Sequence, residues 1–155
     1  MAQENTEVST SDFSITLPTG WTYQTAEGPG ELLKAFSEDS TYQYKISKVS
    51  IEPDQNSFDF LNHIEDVMFD LGYSENIADS TNRFKDSTKA SNFNADDIAL
   101  GVFAIEKDEQ YLIQTVIIYH KENWIYMCVI TYPSENYFEM AEEMKLLTST
   151  FRLKD

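Results

Sequence analysis

At 155 residues, 41% of them hydrophobic and 14% aromatic, the chain suits one domain, and a domain of this size buries roughly 70% of its unfolded surface without staples. Its 11 basic and 27 acidic side chains leave a formal net charge of −16, which argues against nucleic acid, since phosphate binding needs clustered Lys and Arg, and against anionic lipid surfaces. One cysteine, Cys128, excludes an internal disulfide and a multi-cysteine metal site, and no apolar run reaches the ~18 residues of a membrane span.

Residues 1–12, MAQENTEVSTSD, hold one large apolar residue, Val8, and three acids. Burial cannot offset the ordering entropy of such a stretch, so it reads as a flexible polar tail before a single domain over 13–155. It has neither the basic start nor the apolar run of a signal peptide. A polar leader entering a domain fits an exported protein whose signal has been removed and which is tethered by its tail. A cytoplasmic protein is the alternative.

Phe13–Leu17 alternates apolar and polar residues, a half-buried strand ended by Pro18 and Gly20. Trp21 and Tyr23 continue the alternation, and Glu27–Gly30 is a turn in which Gly28 and Gly30 supply unusual φ. Leu32–Phe36 and Tyr42–Ile51 read as strands around the polar turn Ser37–Ser40. The second is mostly polar, which places it toward a sheet edge, and Pro53 closes it. Ser57–Leu71 is a helix: Phe60, Leu61, Ile64, Val67, Met68 and Leu71 fall on one face. Ser57 caps its start, Gly72 its end, and Asp59 meets the positive end of its dipole. Tyr73–Asp97 is a polar connection with a short strand near Ile77.

Three β-rich runs follow, Ile98–Glu106, Tyr111–His120 and Trp124–Tyr132, with short links that demand antiparallel neighbours. The last is apolar on both faces and belongs inside a layered sheet. After Pro133, Ser134 caps a second helix through Leu147, with Tyr137, Met140, Ala141, Met144 and Leu147 or Thr148 as its stripe. Phe151 and Leu153 end the chain as an extended tail that packs back. These elements make an α+β sandwich.

The run FSITLPTGW at Phe13–Trp21, the first helix after a strand, the late meander, and ITYP followed by a helix and STF resemble the PsbP-like fold. That group includes photosystem oxygen-evolving subunits, a nuclear Ran-binding factor and bacterial lipoproteins of the DcrB type. The likeness runs from Asp12 to Leu153 and rests on topological residues: Pro18, Gly20 and Trp21 at a turn, Phe151 at the C-terminal anchor. It implies an antiparallel sheet with helices on both faces, an α/β/α sandwich used as a non-enzymatic binding scaffold. It names no partner, because fold alone does not transfer function.

The chemistry-bearing residues are few. Asp59, His63, Asp66 and Asp70 lie together opposite the helix's apolar face and offer N and O donors for a divalent metal. An acidic composition produces the same pattern as a solvated face, and that is the preferred reading, with no metal or cofactor assigned. Asn92, Asn94, Asp96 and Asp97 have the composition of a calcium loop but not the spacing of its Gly and Glu. His120 sits at a strand end, and Cys128 lies in the most apolar strand, where burial makes a thiol inert. No nucleophile elbow and no phosphate-binding loop is present, so catalytic residues are not assigned.

Nine tyrosines direct attention to Tyr42, Tyr44, Tyr111 and Tyr119. Exposed Tyr beside carboxylates suits a protein interface, while rings under helices are core. Tyr42, Tyr44, Asp96 and Asp97 are the partner-binding candidates. The expected function is a protein-binding module, exported or lipid-tethered, that recognises a partner, a basic one by its charge. A cytoplasmic chaperone or adaptor for a secreted effector is the alternative, with a carboxylate-pair hydrolase behind it.

Overall fold

Alternating side chains become paired strands wherever a turn returns the chain on itself. The computed structural model describes residues 5–70, 90–107 and 109–155, with the side chains of 65, 67–70 and 105–107 left aside. In chain order the elements are β1 (Thr6–Ser9), β2 (Phe13–Leu17), β3 (Thr22–Thr25), β4 (Gly30–Phe36), β5 (Gln43–Ser50) and α1 (Ser57–Asp70). They continue with β6 (Asp97–Lys107), β7 (Gln110–Lys121), β8 (Trp124–Pro133), a 3-10 turn (Ser134–Asn136), α2 (Tyr137–Thr150) and β9 (Arg152–Leu153). The strand expected near Ile77, the caps at Leu71 and Gly72, and the inward faces of Val67 and Met68 lie outside the described residues.

Six strands form one antiparallel sheet in the order β3-β4-β5-β8-β7-β6, and β1-β2-β9 form a smaller one. Alternation sorts the large sheet's side chains onto two cores. Tyr44, Ile46, Ile117, Tyr119, Cys128 and Ile130 face one side, where α2 contributes Met140 and Leu147 and the small sheet contributes Phe13, Ile15 and Leu17. Val116, Ile118 and Ile125 face the other, under Phe58 and Leu61 of α1. The sheet is thus flanked by a helix on each face, the α+β architecture expected from the sequence.

Residues 5–12 differ from the expected tail. β1 pairs with β2, Val8 opposite Ile15, and Val8 is buried. One apolar residue suffices here because β2 already lies on the core and supplies the ladder that β1 completes. The following turn is held by Lys48, whose Nζ lies 2.8 Å from Asp12 Oδ1 and 4.4 Å from the Trp124 ring centroid. The hydrogen bond to Asp12 holds the Lys48 ammonium above the usual lysine range.

The polar strand is not at an edge. β5 lies between β4 and β8, hydrogen-bonded on both sides. Its polar residues Lys45 and Ser47 occupy one half-buried face while Tyr44 and Ile46 face the core, so its polarity reports a polar face and not an open edge. The helix caps also differ. Asn56 Oδ1 accepts from the amides of Phe58 and Asp59 at 2.9 and 3.1 Å, and Asp59 Oδ2 accepts from Asn56 N at 3.0 Å. That reciprocal pair is a capping box, and Ser57, one residue later, is fully buried inside the first turn. Ser134 opens the 3-10 turn without a side-chain cap, since Pro133 already sets the chain direction.

Candidate functional site

Pairing Lys107 with Gln110 across the β6–β7 turn carries the register down the ladder until Asp97 stands opposite His120. The two side chains meet, Asp97 Oδ2 lying 2.6 Å from His120 Nδ1. The other carboxylate oxygen of Asp97 accepts from Ser57 N at 2.8 Å, so Ser57, Asp97 and His120 come together from three elements. This constellation was not evident from sequence spacing, though the short turn between β6 and β7 contained the register that produces it.

Its geometry does not assemble a nucleophile. In a hydrolytic triad the distal imidazole nitrogen receives the serine proton. Here His120 Nε2 lies 2.7 Å from the Glu122 carbonyl oxygen, and both ring nitrogens are taken by acceptors. Ser57 Oγ is buried and has no hydrogen-bond partner among the described residues. The group instead ties the start of α1 to the β6–β7 ladder and the β7–β8 turn. Asp96 Oδ2 extends it by accepting from Glu122 N at 2.8 Å, in a turn where Glu122 adopts φ 57°.

The remaining acidic candidates also hold backbone. Asn94 Nδ2 donates to the Leu153 carbonyl and to Asp155 Oδ1, both at 2.9 Å, and Asn92 is exposed. Lys121 Nζ reaches the same Asp155 oxygen at 2.9 Å, and these contacts hold the Asp155 carboxyl below the usual aspartate range. On α1, Asp59 is used in the cap, His63 and Asp66 are exposed, and the side chain of Asp70 lies outside the described residues. Among the described residues no three His, Cys, Asp or Glu side chains converge as a metal site.

Cys128 is fully buried, and desolvation pushes its thiol up to about 12, with Tyr44 beside it. At pH 8 only roughly 10⁻⁴ of such a thiol is ionised. Labelling of the native protein with a thiol reagent at pH 8 should therefore proceed no faster than global unfolding, while the urea-unfolded chain reacts at the rate of a free cysteine. Labelling of the folded protein within seconds would show that β8 opens locally.

The tyrosines separate into two groups. Tyr44 and Tyr119 are core residues, so Tyr44 offers no surface to a partner. Tyr42 packs against that core at its margin, where burial raises its hydroxyl, Asn136 offsets part of the rise, and Glu139 and Glu143 add to it. The outward aromatics among the described residues are Tyr23, 42% exposed, Tyr111, 58%, Tyr137, 52%, and Phe138, 88%. Tyr137 and Phe138 stack edge to face with centroids 5.3 Å apart. Leu112 pairs with Pro133, which brings the start of β7, and Tyr111 with it, to the end of the sheet where α2 begins. Exposed Glu135, Glu139 and Glu142 accompany the pair. Phe138 falls outside the stripe predicted for this helix, and Tyr137 was assigned to the buried side. Met140, Met144 and Leu147 of that stripe do pack inward, whereas Tyr137 in the first turn and Ala141 are exposed, so the aromatic pair faces outward.

Fold and surface together define an acidic α+β domain of PsbP-like topology, with the aromatic pair at one end of its sheet. No family model matches the chain, and no curated protein does. Several solved structures share the fold. LpqN of Mycobacterium tuberculosis, involved in cell envelope biogenesis, superposes with a TM-score of 0.60 at 8% identity, over 98% of this chain and 91% of its own. Cyanobacterial PsbP from Synechocystis sp. PCC 6803 gives 0.52 at 13% identity, over 99% and 94%. A Bacteroides thetaiotaomicron protein gives 0.56 at 15% identity, over 92% of this chain but 45% of its own length, so the chain spans less than half of that protein. At these identities the likeness carries the fold alone. Among the described residues no helix is long and apolar enough to cross a membrane.

Proposed function

We propose that the domain is a non-enzymatic protein-binding module of the cell envelope, exported or lipid-tethered, whose partner carries an apolar pocket rimmed by basic residues. The observation that carries this reading is Phe138, an 88% exposed ring braced by Tyr137 and accompanied by glutamates. An outward aromatic on a helix start gains nothing for folding and suits the anchor of an interface. The carboxylates around it favour a basic partner and speed its encounter. The envelope role of LpqN supports the location, and the use of Ser57, Asp97 and His120 as a structural tie supports a scaffold over a hydrolase.

The test compares wild type and Phe138→Ala on the partner recovered from the envelope fraction of the source cells. The variant should keep its Tm and bind at least about tenfold more weakly, and the wild-type on-rate should fall as salt rises. Undiminished binding by Phe138→Ala, or a salt-independent on-rate, would overturn the reading. Mass spectrometry of the native N-terminus tests the location: a lipidated or signal-cleaved chain is expected, and an intact Met1 in the cytosol would favour the chaperone alternative.

A further inference from the structure

The face of β3, β4 and β5 away from α2 carries an arrangement that folding does not favour. The β4–β5 register sets Lys34 directly opposite Lys45, on the polar, half-buried side of β5 noted above. Like charges directly opposite on one face destabilise a sheet. In a chain with 27 acids and 11 bases, a carboxylate at either position would have been the commoner outcome and the more stable one. Neither lysine forms a salt bridge among the described residues. Glu31, opposite Ser47 on the same face, is the neighbouring acid and pairs with neither.

Among the described residues the core under α1 does not extend over this half of the sheet, where Lys34, Gln43, Lys45 and Ser47 are half-buried. Phe58 and Leu61 of α1 pack over Val116, Ile118 and Ile125, with Met127 and Val129 at the margin, which are residues of β7 and β8. The β3–β5 half carries instead Thr22, Gln24, Gln43 and Ser47 around the lysines, all uncharged hydrogen-bonding groups. Lys34 Nζ lies 5.5 Å from the Phe36 ring centroid, so the ammonium is held over the face and not trailing in solvent.

We infer that this face is a second docking surface, for an extended acidic segment of a partner protein. Two adjacent ammonium groups with no ion-pair partner among the described residues supply the complementarity for paired carboxylates. The amides and hydroxyls around them suit peptide groups, which a bare polyanion does not present. Net charge is no obstacle at short range: in physiological salt the Debye length is ~8 Å, and the glutamates of α2 lie beyond the sheet on its other side. The local pair therefore decides the contact.

The test titrates the full chain with a short synthetic peptide of alternating glutamate and serine, followed by backbone amide shifts. Saturable shifts confined to β3, β4 and β5 are expected. Lys34→Glu and Lys45→Glu should each weaken binding at least about tenfold while leaving Tm unchanged or higher, because each substitution removes the repulsion. Lys145→Glu on α2 and Phe138→Ala should leave peptide binding as it is, which separates this surface from the aromatic one. Shifts centred elsewhere, binding unaffected by either lysine substitution, or equal binding of inorganic polyphosphate at matched charge would each overturn the inference. A loss of Tm in both lysine variants would overturn it too, by showing that the pair serves the fold.

Discussion

Phe151→Ala should cost about 3–5 kcal/mol, the range for removing a large buried ring when the surroundings relax only partly. Phe151 is fully buried, stacked on Phe13 with ring centroids 5.9 Å apart and tilted against Tyr119 at 4.4 Å. Those contacts join three remote parts of the chain: β2 of the small sheet, β7 of the large sheet, and the end of α2. Domain stabilities of ~5–15 kcal/mol make such a loss a large fraction of the whole, and Tm should fall by roughly 10 °C or more. Urea unfolding checks it, with a lower midpoint and an unchanged slope. Phe151→Leu, which keeps most of the volume, should cost well under half as much. A loss below ~1 kcal/mol for the alanine variant would show that the C-terminal segment is only laid against the domain.

Asp97→Ala has the second largest expected effect, about 2–4 kcal/mol. It removes the acceptor of Ser57 N (2.8 Å) and the partner of His120 Nδ1 (2.6 Å) together. The first loss strands an amide in the buried first turn of α1, the second leaves an imidazole facing space where a carboxylate stood. Asp97→Asn retains an oxygen for Ser57 and should lose less. Because both contacts belong to one group, His120→Ala should add little in the Asp97→Ala background, and a double-mutant cycle measures that coupling. Strict additivity of the two substitutions would sink the idea that they form one tie.

Sequence periodicity was most informative where an element is decided by its immediate neighbours. Phe13–Leu17 emerges as β2 with the same bounds, and the two-sided apolar run at Trp124–Tyr132 lies inside the sheet between both cores, as its pattern required. The weaker readings have identifiable causes. For β5, polarity suggests an edge, but a strand can be polar on one face and still be hydrogen-bonded on both sides. At α1 the capping choice moved by one residue, because Asn56 and Ser57 are both cap formers and only the reciprocal bond with Asp59 distinguishes them. On α2 the stripe holds at Met140, Met144 and Leu147, while Tyr137 at its start and Ala141 are exposed.

The candidate sites were less accessible than the fold for a related reason. Asp97 was noticed for its acidic neighbours, and His120 for its place at a strand end. Their contact depends on a ladder eleven residues long, which becomes visible only when the register is propagated from the turn. The exposed Phe138 carries no motif at all, because exposure is a property of what the rest of the chain leaves uncovered.

The amino-acid sequence by itself determined which segments are strands and helices, where Pro and Gly interrupt them, the acidic charge, and the family of topologies they resemble. These follow from period-2 and period-3.6 patterns and from local backbone chemistry, which adjacent residues settle among themselves. Tertiary structure alone decided that β5 lies inside the sheet, that β1 completes a small second sheet with β9 nearby, and that Lys34 faces Lys45. It also decided that Asp97 joins Ser57 to His120. Each of these depends on which distant segments pair and in what register, and that choice is made by burying two cores at once, a condition on the whole chain that no local window contains.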